Sequence, residues 1–440
     1  MVPLALRGAL LHATVSALSP RATAPCSAHH LIHASPAVAL HAPASLTWGL
    51  GGRSLDRLAA LREELLPLNP ALASLPLLVG EGATASAVAR AARAVVTTAG
   101  PFLTHGEPML AACVAEGTHY ADITGETAWV AAMEAKYGAA AKAKGVLVVP
   151  MCGLDSMPSD LGALFAVRAA RAALGARASV TSLVTYTILR GGVSGGTIAS
   201  GRAMAARPEL AAASRSPLLL APPGAPVTPL PDSCWPTWVP AAGQWATHGI
   251  MAALNTRVVR RSAGLWAAAG SPYAAPGARF AHGEYALARG WWGALAAKLA
   301  GLVLGALLFR PWFFPLVAGS LPKPGQGPSD AAIAKNWFVY LVCATCAGGE
   351  RFWARVAGGD PGYGETAKML AEAGVLLAGA GPGGAGLPAA GFGGGGFLTP
   401  ATAFGEVLST RLHETGLTFH VVPEAEVAAA AKRGWQPPAA

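Results

Sequence analysis

Val95-Val-Thr-Thr-Ala-Gly-Pro-Phe-Leu-Thr-His-Gly-Glu-Pro108 is the stretch on which the fold turns. Two apolar β-branched residues, Val95 and Val96, run into Gly100-Pro101, and a helical patch from Met109 to Glu116 follows. Downstream come His119-Tyr-Ala-Asp-Ile-Thr-Gly-Glu126, a second apolar run Val146 to Val149, and the loop Pro150-Met-Cys-Gly-Leu-Asp-Ser-Met-Pro-Ser-Asp160. Short apolar runs alternating with helices of this length predict a parallel α/β sheet. Such sheets bind ligands beyond the carboxyl ends of their strands, where glycine turns admit close backbone approach. Gly100-Pro101 and Cys152-Gly153 fall at those ends.

The 440 residues suffice for two domains. Hydrophobic residues make up 53% and charged residues 12%, with a formal net charge of +9 and a mean hydropathy of +0.42. A basic balance favours anionic partners. No Lys/Arg run interleaved with aromatics is present, so nucleic acid is not expected. Six cysteines are too few for a disulfide framework. Cys343-Ala-Thr-Cys346 lacks a second close ligand pair, so no metal is expected, and its apolar setting makes these buried small hydrophobes.

Met1 to Ser45 contains no Asp or Glu and is transit-like in composition, or a mispredicted disordered segment; the fold is expected from Leu46. Ser54 is an N-cap for a helix from Leu55 to Leu66. Arg53, between a glycine turn and that helix, is placed for an anion such as the 2′-phosphate of NADP. Val180 to Leu189 predicts a strand, Ala205 to Pro240 an irregular insertion, and Asn336 to Val356 a hairpin around Gly348-Gly349. Gly379 to Gly396 is a Gly-rich insertion, flexible on composition. Gly293 to Phe309 is the most apolar stretch, shorter than a spanning helix, with aromatic and basic flanks suited to a membrane interface or a buried core helix.

Several pieces, taken in order, resemble one family, the saccharopine-dehydrogenase-like oxidoreductases that include the trans-acting enoyl reductases. They are Gly51-Gly-Arg-Ser54, Ala99-Gly-Pro-Phe102 with Gly106-Glu-Pro108, Tyr120-Ala-Asp-Ile-Thr-Gly-Glu126 and Cys152-Gly-Leu-Asp-Ser-Met-Pro-Ser-Asp160. The second half adds Ser194-Gly-Gly-Thr-Ile-Ala-Ser200, Leu321-Pro-Lys-Pro-Gly325, Gly358-Gly-Asp-Pro-Gly-Tyr-Gly-Glu-Thr366 and Leu398-Thr-Pro-Ala-Thr-Ala403. The resemblance implies an α/β fold: a Rossmann-like parallel sheet over 46–165, then a C-terminal α+β domain with a mixed sheet over 166–425, and a tail 426–440. The family opens with a strand and a Gly-x-Thr-Gly-x-x-Gly turn. No such turn precedes Trp48, so the sheet is expected to be incomplete, lacking its first, central strand, through a lost exon or through loss of dinucleotide binding.

What the resemblance implies functionally is an NADP-dependent reductase acting on a lipid-linked enoyl or carbonyl substrate, peripheral to a membrane or lipid droplet through 291–316. Mitochondrion and plastid are further expected locations, and a homo-oligomer an expected state. Arg53 and Ser54 would meet the adenosine ribose phosphate, Gly100 and Pro101 would pass under the cofactor, and Cys152 and Gly153 would border the nicotinamide. Candidate acids in the matched loops are Tyr120, Asp122, Glu126, Asp155, Ser156 and Tyr363, of which Asp155, Ser156 and Tyr363 are taken as the catalytic set. Helix capping is the competing account of Ser156 and Ser159, and turn packing that of Tyr363. The competing function is a non-catalytic lipid-surface protein.

Overall fold

The computed structural model describes residues 10–15, 46–80, 85–175, 178–191, 195–232, 234–271, 273, 280–308, 313–317 and 330–435. The matched piece Leu321 to Gly325 lies outside the described residues, as does Ser194.

Strands β1 (Leu10–Val15), β2 (Thr47–Gly52), β3 (Leu77–Val79), β4 (Ala94–Thr97), β5 (His119–Asp122) and β6 (Leu147–Val149) form one parallel sheet. Their order across it is β3-β2-β1-β4-β5-β6, followed by a short strand Gly396–Phe397 on β6. This is the strand order of dinucleotide-binding sheets. The strand expected to be missing is present. β1 lies inside the acid-free segment 1–45 that the sequence places outside the fold, and its register runs Leu10↔Thr47 to Val15↔Gly52 on one side and Leu11↔Ala94 to Thr14↔Thr97 on the other. The topology is therefore complete at its centre, where the strand order reverses. The departure that stands is in the sequence: Ser16 to Ser45 contains no glycine, and those residues lie outside the described ones.

The second sheet is mixed. It contains β7 (Val180–Arg190), β8 (Val227–Pro229), β9 (Thr237–Val239), β10 (Gln244–His248), β11 (Phe280–Ala288), β12 (Trp337–Cys346) and β13 (Arg351–Gly358), with a closing strand Thr418–Val422. From edge to edge the order is Thr418–Val422, β13, β12, β7, β11, β10, β9, with β8 beside β11. The hairpin expected around Gly348-Gly349 is β12–β13.

Alternation decides which face of this sheet meets the first domain. Along β7, Leu183, Thr185 and Thr187 are buried while Val184, Tyr186 and Ile188 face outward. The inner face packs on the helix Met157–Leu174 so closely that a Cβ on Gly162 would meet Val342 Cγ2 at 2.8 Å. That helix is buried from Met157 to Leu164, which places the end of the first domain inside the seam.

The seam is crossed again late in the chain. Leu370, Ala373 and Leu377 of the helix Gly364–Gly379 share one core cluster with Ala94 and Ala121 of the parallel sheet. The Gly-rich 379–396 stretch, expected to be flexible, is built of short turns with left-handed glycines, and it delivers Gly396–Phe397 to β6. Arg261, on the helix Ala252–Ala268, donates to both oxygens of Glu134 at 2.7 Å and to the carbonyls of Leu220 at 2.8 Å and Phe397 at 2.6 Å. One buried guanidinium, whose fixed fork suits such pairing, thus joins three parts of the molecule.

The apolar stretch expected near 293–309 is a helix, Trp291–Leu308, lying against β10. Among the described residues no helix is long and apolar enough to cross a membrane.

Candidate functional site

The loops at the carboxyl ends of β4, β5 and β6 are fixed by carboxylates, and each carboxylate has a different fate. After β4, Gly100-Pro101 is a cis peptide leading into the short helix Phe102–His105. Glu126 is buried and accepts from the N–H of Phe102 at 3.0 Å and of Leu103 at 2.6 Å. A carboxylate there satisfies the orphan donors and the positive end of the helix. Burial pushes the Glu126 carboxyl up, against the pull of Ser200 and these N–H groups. Glu126, a candidate acid by sequence, is thereby a cap.

Asp122, at the end of β5, accepts from Tyr120 Oη at 2.9 Å, Thr124 N at 2.9 Å and Met151 N at 3.0 Å. Burial pushes its carboxyl up to about 7 in spite of those donors. The Asp122 carbonyl accepts from Cys152 N at 2.7 Å, and between these two bonds Met151 holds φ +64, a left-handed conformation that a methionine rarely adopts. Tyr120 and Asp122 thus satisfy each other. Cys152 is fully buried, its thiol donates to the Val149 carbonyl at 3.2 Å, and burial beside Asp122 and Asp160 pushes it well up. Such a thiol is inert; what it offers a cofactor is backbone position at a strand end.

Gly153 and Leu154 rest on the second half of the chain. A Cβ on Gly153 would meet Thr366 Cγ2 at 3.2 Å, and Leu154 N donates to Thr366 Oγ1 at 3.1 Å. Tyr363 belongs to the same turn. It is buried and its N–H donates to Asp360 Oδ2 at 2.7 Å, in the N-cap position of the helix Gly364–Gly379.

Asp155 differs from every carboxylate so far. It is only partly shielded, and no donor among the described residues reaches it. Burial in low dielectric alone pushes its carboxyl up to about 6. Gly125 packs before it: a Cβ there would sit 3.7 Å from Asp155 Oδ2 and 3.4 Å from Leu254 Cδ2. Ser156 takes the N-cap position of the next helix, but its hydroxyl makes no cap bond and is buried without a partner among the described residues. Ser159, the other residue that capping would account for, donates instead to Glu284 Oε2 at 2.6 Å. Asn255 Nδ2 donates to Glu284 Oε1 at 2.8 Å.

Thr98 and Ser156 carry buried hydroxyls without partners among the described residues, beyond the ends of β4 and β6. Polar atoms left open at these strand ends fit a dinucleotide lying across them. At the end of β2, Ser54 accepts from Arg57 N at 3.4 Å as the expected cap, with half-buried Arg53 beside it. Among the described residues no group of three metal-ligating side chains occurs.

A dinucleotide-type sheet with a mixed-sheet domain closed over its carboxyl ends defines the class of two-domain dehydrogenases and reductases. The relatives narrow it. A Mycobacterium tuberculosis protein provisionally assigned as a trans-acting enoyl reductase is 36% identical over 356 residues, covering 75% of this chain and 81% of its own. The trans-acting enoyl reductase of Mycobacterium bovis is 31% identical over 388 residues, covering 80% and 85%. The chain belongs to the trans-acting enoyl reductase family. No family model matches it. Among solved structures, the apo saccharopine dehydrogenase (L-Glu forming) of Saccharomyces cerevisiae aligns with TM-score 0.46 at 12% identity, over 94% of this chain and 100% of that one.

Glu284, Asn255 and Tyr340 were not singled out by sequence. One signal was available for the first: Glu284 is the single acidic residue between Asp232 and Asp330, set in an apolar strand.

Proposed function

We propose that the protein is an NADPH-dependent enoyl reductase whose substrate is an unsaturated acyl group carried on a lipid-linked or thioester scaffold. The observation that carries this reading is Asp155: a carboxyl raised toward neutrality, partly exposed beyond the end of β6 and without a donor among the described residues. A group of that kind is suited to deliver a proton near neutral pH. Bound across the strand ends, the reduced nicotinamide would supply hydride. Arg53 and Ser54 would hold the adenosine end, with Arg53 toward a 2′-phosphate. Gly100 and Pro101 would floor the site, Cys152 and Gly153 would border it through backbone, and the Ser156 hydroxyl would orient the substrate.

Calorimetry tests the cofactor step. NADPH should bind, and Arg53→Ala should weaken it about tenfold or more while leaving NADH unchanged, the loss expected of one charge-assisted phosphate contact. Oxidation of NADPH by crotonyl-coenzyme A, a simple enoyl thioester, tests turnover. Failure of both cofactors to bind would favour the non-catalytic reading, to which the absence of glycine between Ser16 and Ser45 lends weight.

Peripheral membrane association is supported separately. Trp292, Leu299, Leu302 and Val303 on the helix Trp291–Leu308 are exposed. The one acidic residue of 233–329, Glu284, is buried, so this region opposes no negative charge to an anionic surface. Co-sedimentation with phosphatidylserine vesicles, weakened by Leu302→Ser, would bear this out. Equal recovery with and without vesicles would remove it.

A further inference from the structure

The loop that carries Asp155 is held from two sides, and one of them is the other half of the chain. Cys152 N donates to the Asp122 carbonyl at 2.7 Å, which ties the start of the loop to β5. Ser156 N and Met157 N donate to the Gly153 carbonyl at 3.2 and 3.0 Å, and close its far end into the helix Met157–Leu174. Between them stands Leu154, which is buried. A backbone N–H at that depth needs a partner. It donates to Thr366 Oγ1 at 3.1 Å, 212 residues further along the chain.

Thr366 uses both branches of its side chain. The hydroxyl donates to the Pro361 carbonyl at 3.0 Å while it accepts from Leu154. The methyl faces Gly153, where an added Cβ would come within 3.2 Å of it, inside the roughly 3.5–4.0 Å at which carbon atoms rest. Serine would lack the methyl and valine the hydroxyl. The turn behind Thr366 is stiff. Asp360 accepts from Tyr363 N at 2.7 Å, Gly364 N at 3.1 Å and Asn336 Nδ2 at 2.6 Å. Glu365 Oε1 accepts from Gly359 N at 3.0 Å. The same turn abuts the end of β7, where a Cβ on Gly191 would meet Pro361 Cγ at 2.7 Å. Closing this turn asks no more of Thr366 than the bond to Pro361. The Leu154 bond and the Gly153 contact reach out of the turn, and both end within two residues of Asp155.

We propose that Thr366 is the positioning residue of Asp155: through one hydrogen bond and one methyl contact it fixes where the loop presents that carboxyl. The placement of the acid at the nucleotide-binding sheet is thereby set by the second half of the chain. The role rests on the enoyl-reductase reading, in which Asp155 touches the substrate and Thr366 acts through the loop. Misplacing a reacting group by about 1 Å costs up to about a hundredfold in rate, so contacts this local suffice.

Thr366→Val keeps the branched shape and removes the hydroxyl; Thr366→Ser keeps the hydroxyl and removes the methyl. In NADPH oxidation by crotonyl-coenzyme A, Thr366→Val should lose about tenfold or more in kcat with KM unchanged, and Thr366→Ser should recover most of that loss. A second pair does not depend on the valine variant folding. Gly153→Ala presses a methyl onto that of Thr366 and should lower kcat several-fold. Adding Thr366→Ser removes the opposing methyl and should restore it, a coupling that independent sites do not show. Full kcat in Thr366→Val, or losses that merely multiply in the double variant, would overturn the role. Hydrogen exchange reads the loop without turnover. The Leu154 amide should lose protection in Thr366→Val and keep it in Thr366→Ser; equal protection in both overturns the role. Full kcat in Asp155→Asn, with the rescue of Gly153→Ala intact, would instead overturn the reading on which the role rests.

Discussion

Asp122 and Asp155 sit at the ends of adjacent strands, both in low dielectric, and their surroundings could hardly differ more. Asp122 accepts three donors within 3.0 Å; Asp155 accepts none among the described residues. The first locks a loop and the second leaves its charge unsettled. Asp160, five residues beyond Asp155, repeats the locked pattern, accepting from Ser262 and from Ala401 N at 2.8 Å. A raised carboxyl is therefore not by itself a sign of function. The donors around it decide.

The strongest way to break that contrast is to remove a locked group. Arg261→Ala leaves Glu134 and two carbonyls unpaired across the seam, and should lose about 3–5 kcal/mol, read as a fall in denaturant midpoint. Asp122→Ala orphans three donors and should lose about 3 kcal/mol. Asp155→Asn should reverse the balance. Stability changes by less than about 1 kcal/mol, while kcat falls about a hundredfold, the scale of one general acid.

pH sharpens the same distinction. Asp155 and Asp160 stand at about 6 and Asp122 and Glu284 at about 7 in the folded protein, above the ordinary 3.8 of Asp and 4.5 of Glu. The folded chain thus holds protons that the unfolded chain has released. Their contribution is fully present below about 4, and it is lost as pH rises through about 7. Melting temperature should fall across that window, and Glu284→Gln should flatten its upper part. The smallest effect is expected at Ser54→Ala. A 3.4 Å cap bond at an exposed helix start is worth about 0.5–1 kcal/mol.

The sequence made the parallel sheet legible because its loops carry unusual residues: Gly100-Pro101 where the backbone turns sharply, Cys152-Gly153 where Thr366 packs against the chain. It hid β1. Leu10-Leu-His-Ala-Thr-Val15 is an ordinary apolar run, and nothing after it supplies the glycine turn by which a first Rossmann strand is recognised. Asp155 and Ser156 were legible because they follow a strand end. Glu284, Asn255 and Tyr340 were not. Register across β7, β11 and β12 sets Glu284 and Tyr340 in one sheet, and the helix Ala252–Ala268 brings Asn255 to Glu284, which spacing along the chain cannot express.

The strand Gly396–Phe397 closes one edge of the sheet that begins at Leu10. A chain emerging from the ribosome completes β6 early, yet its outer neighbour arrives only after nearly all the remainder has been made. Until then the β6 edge and the face later covered by the helix Gly364–Gly379 stay open to other strands. During synthesis the nucleotide-binding half is thus a dependent of its own C-terminus, and a truncation near residue 390 would leave a half-made sheet in search of a partner.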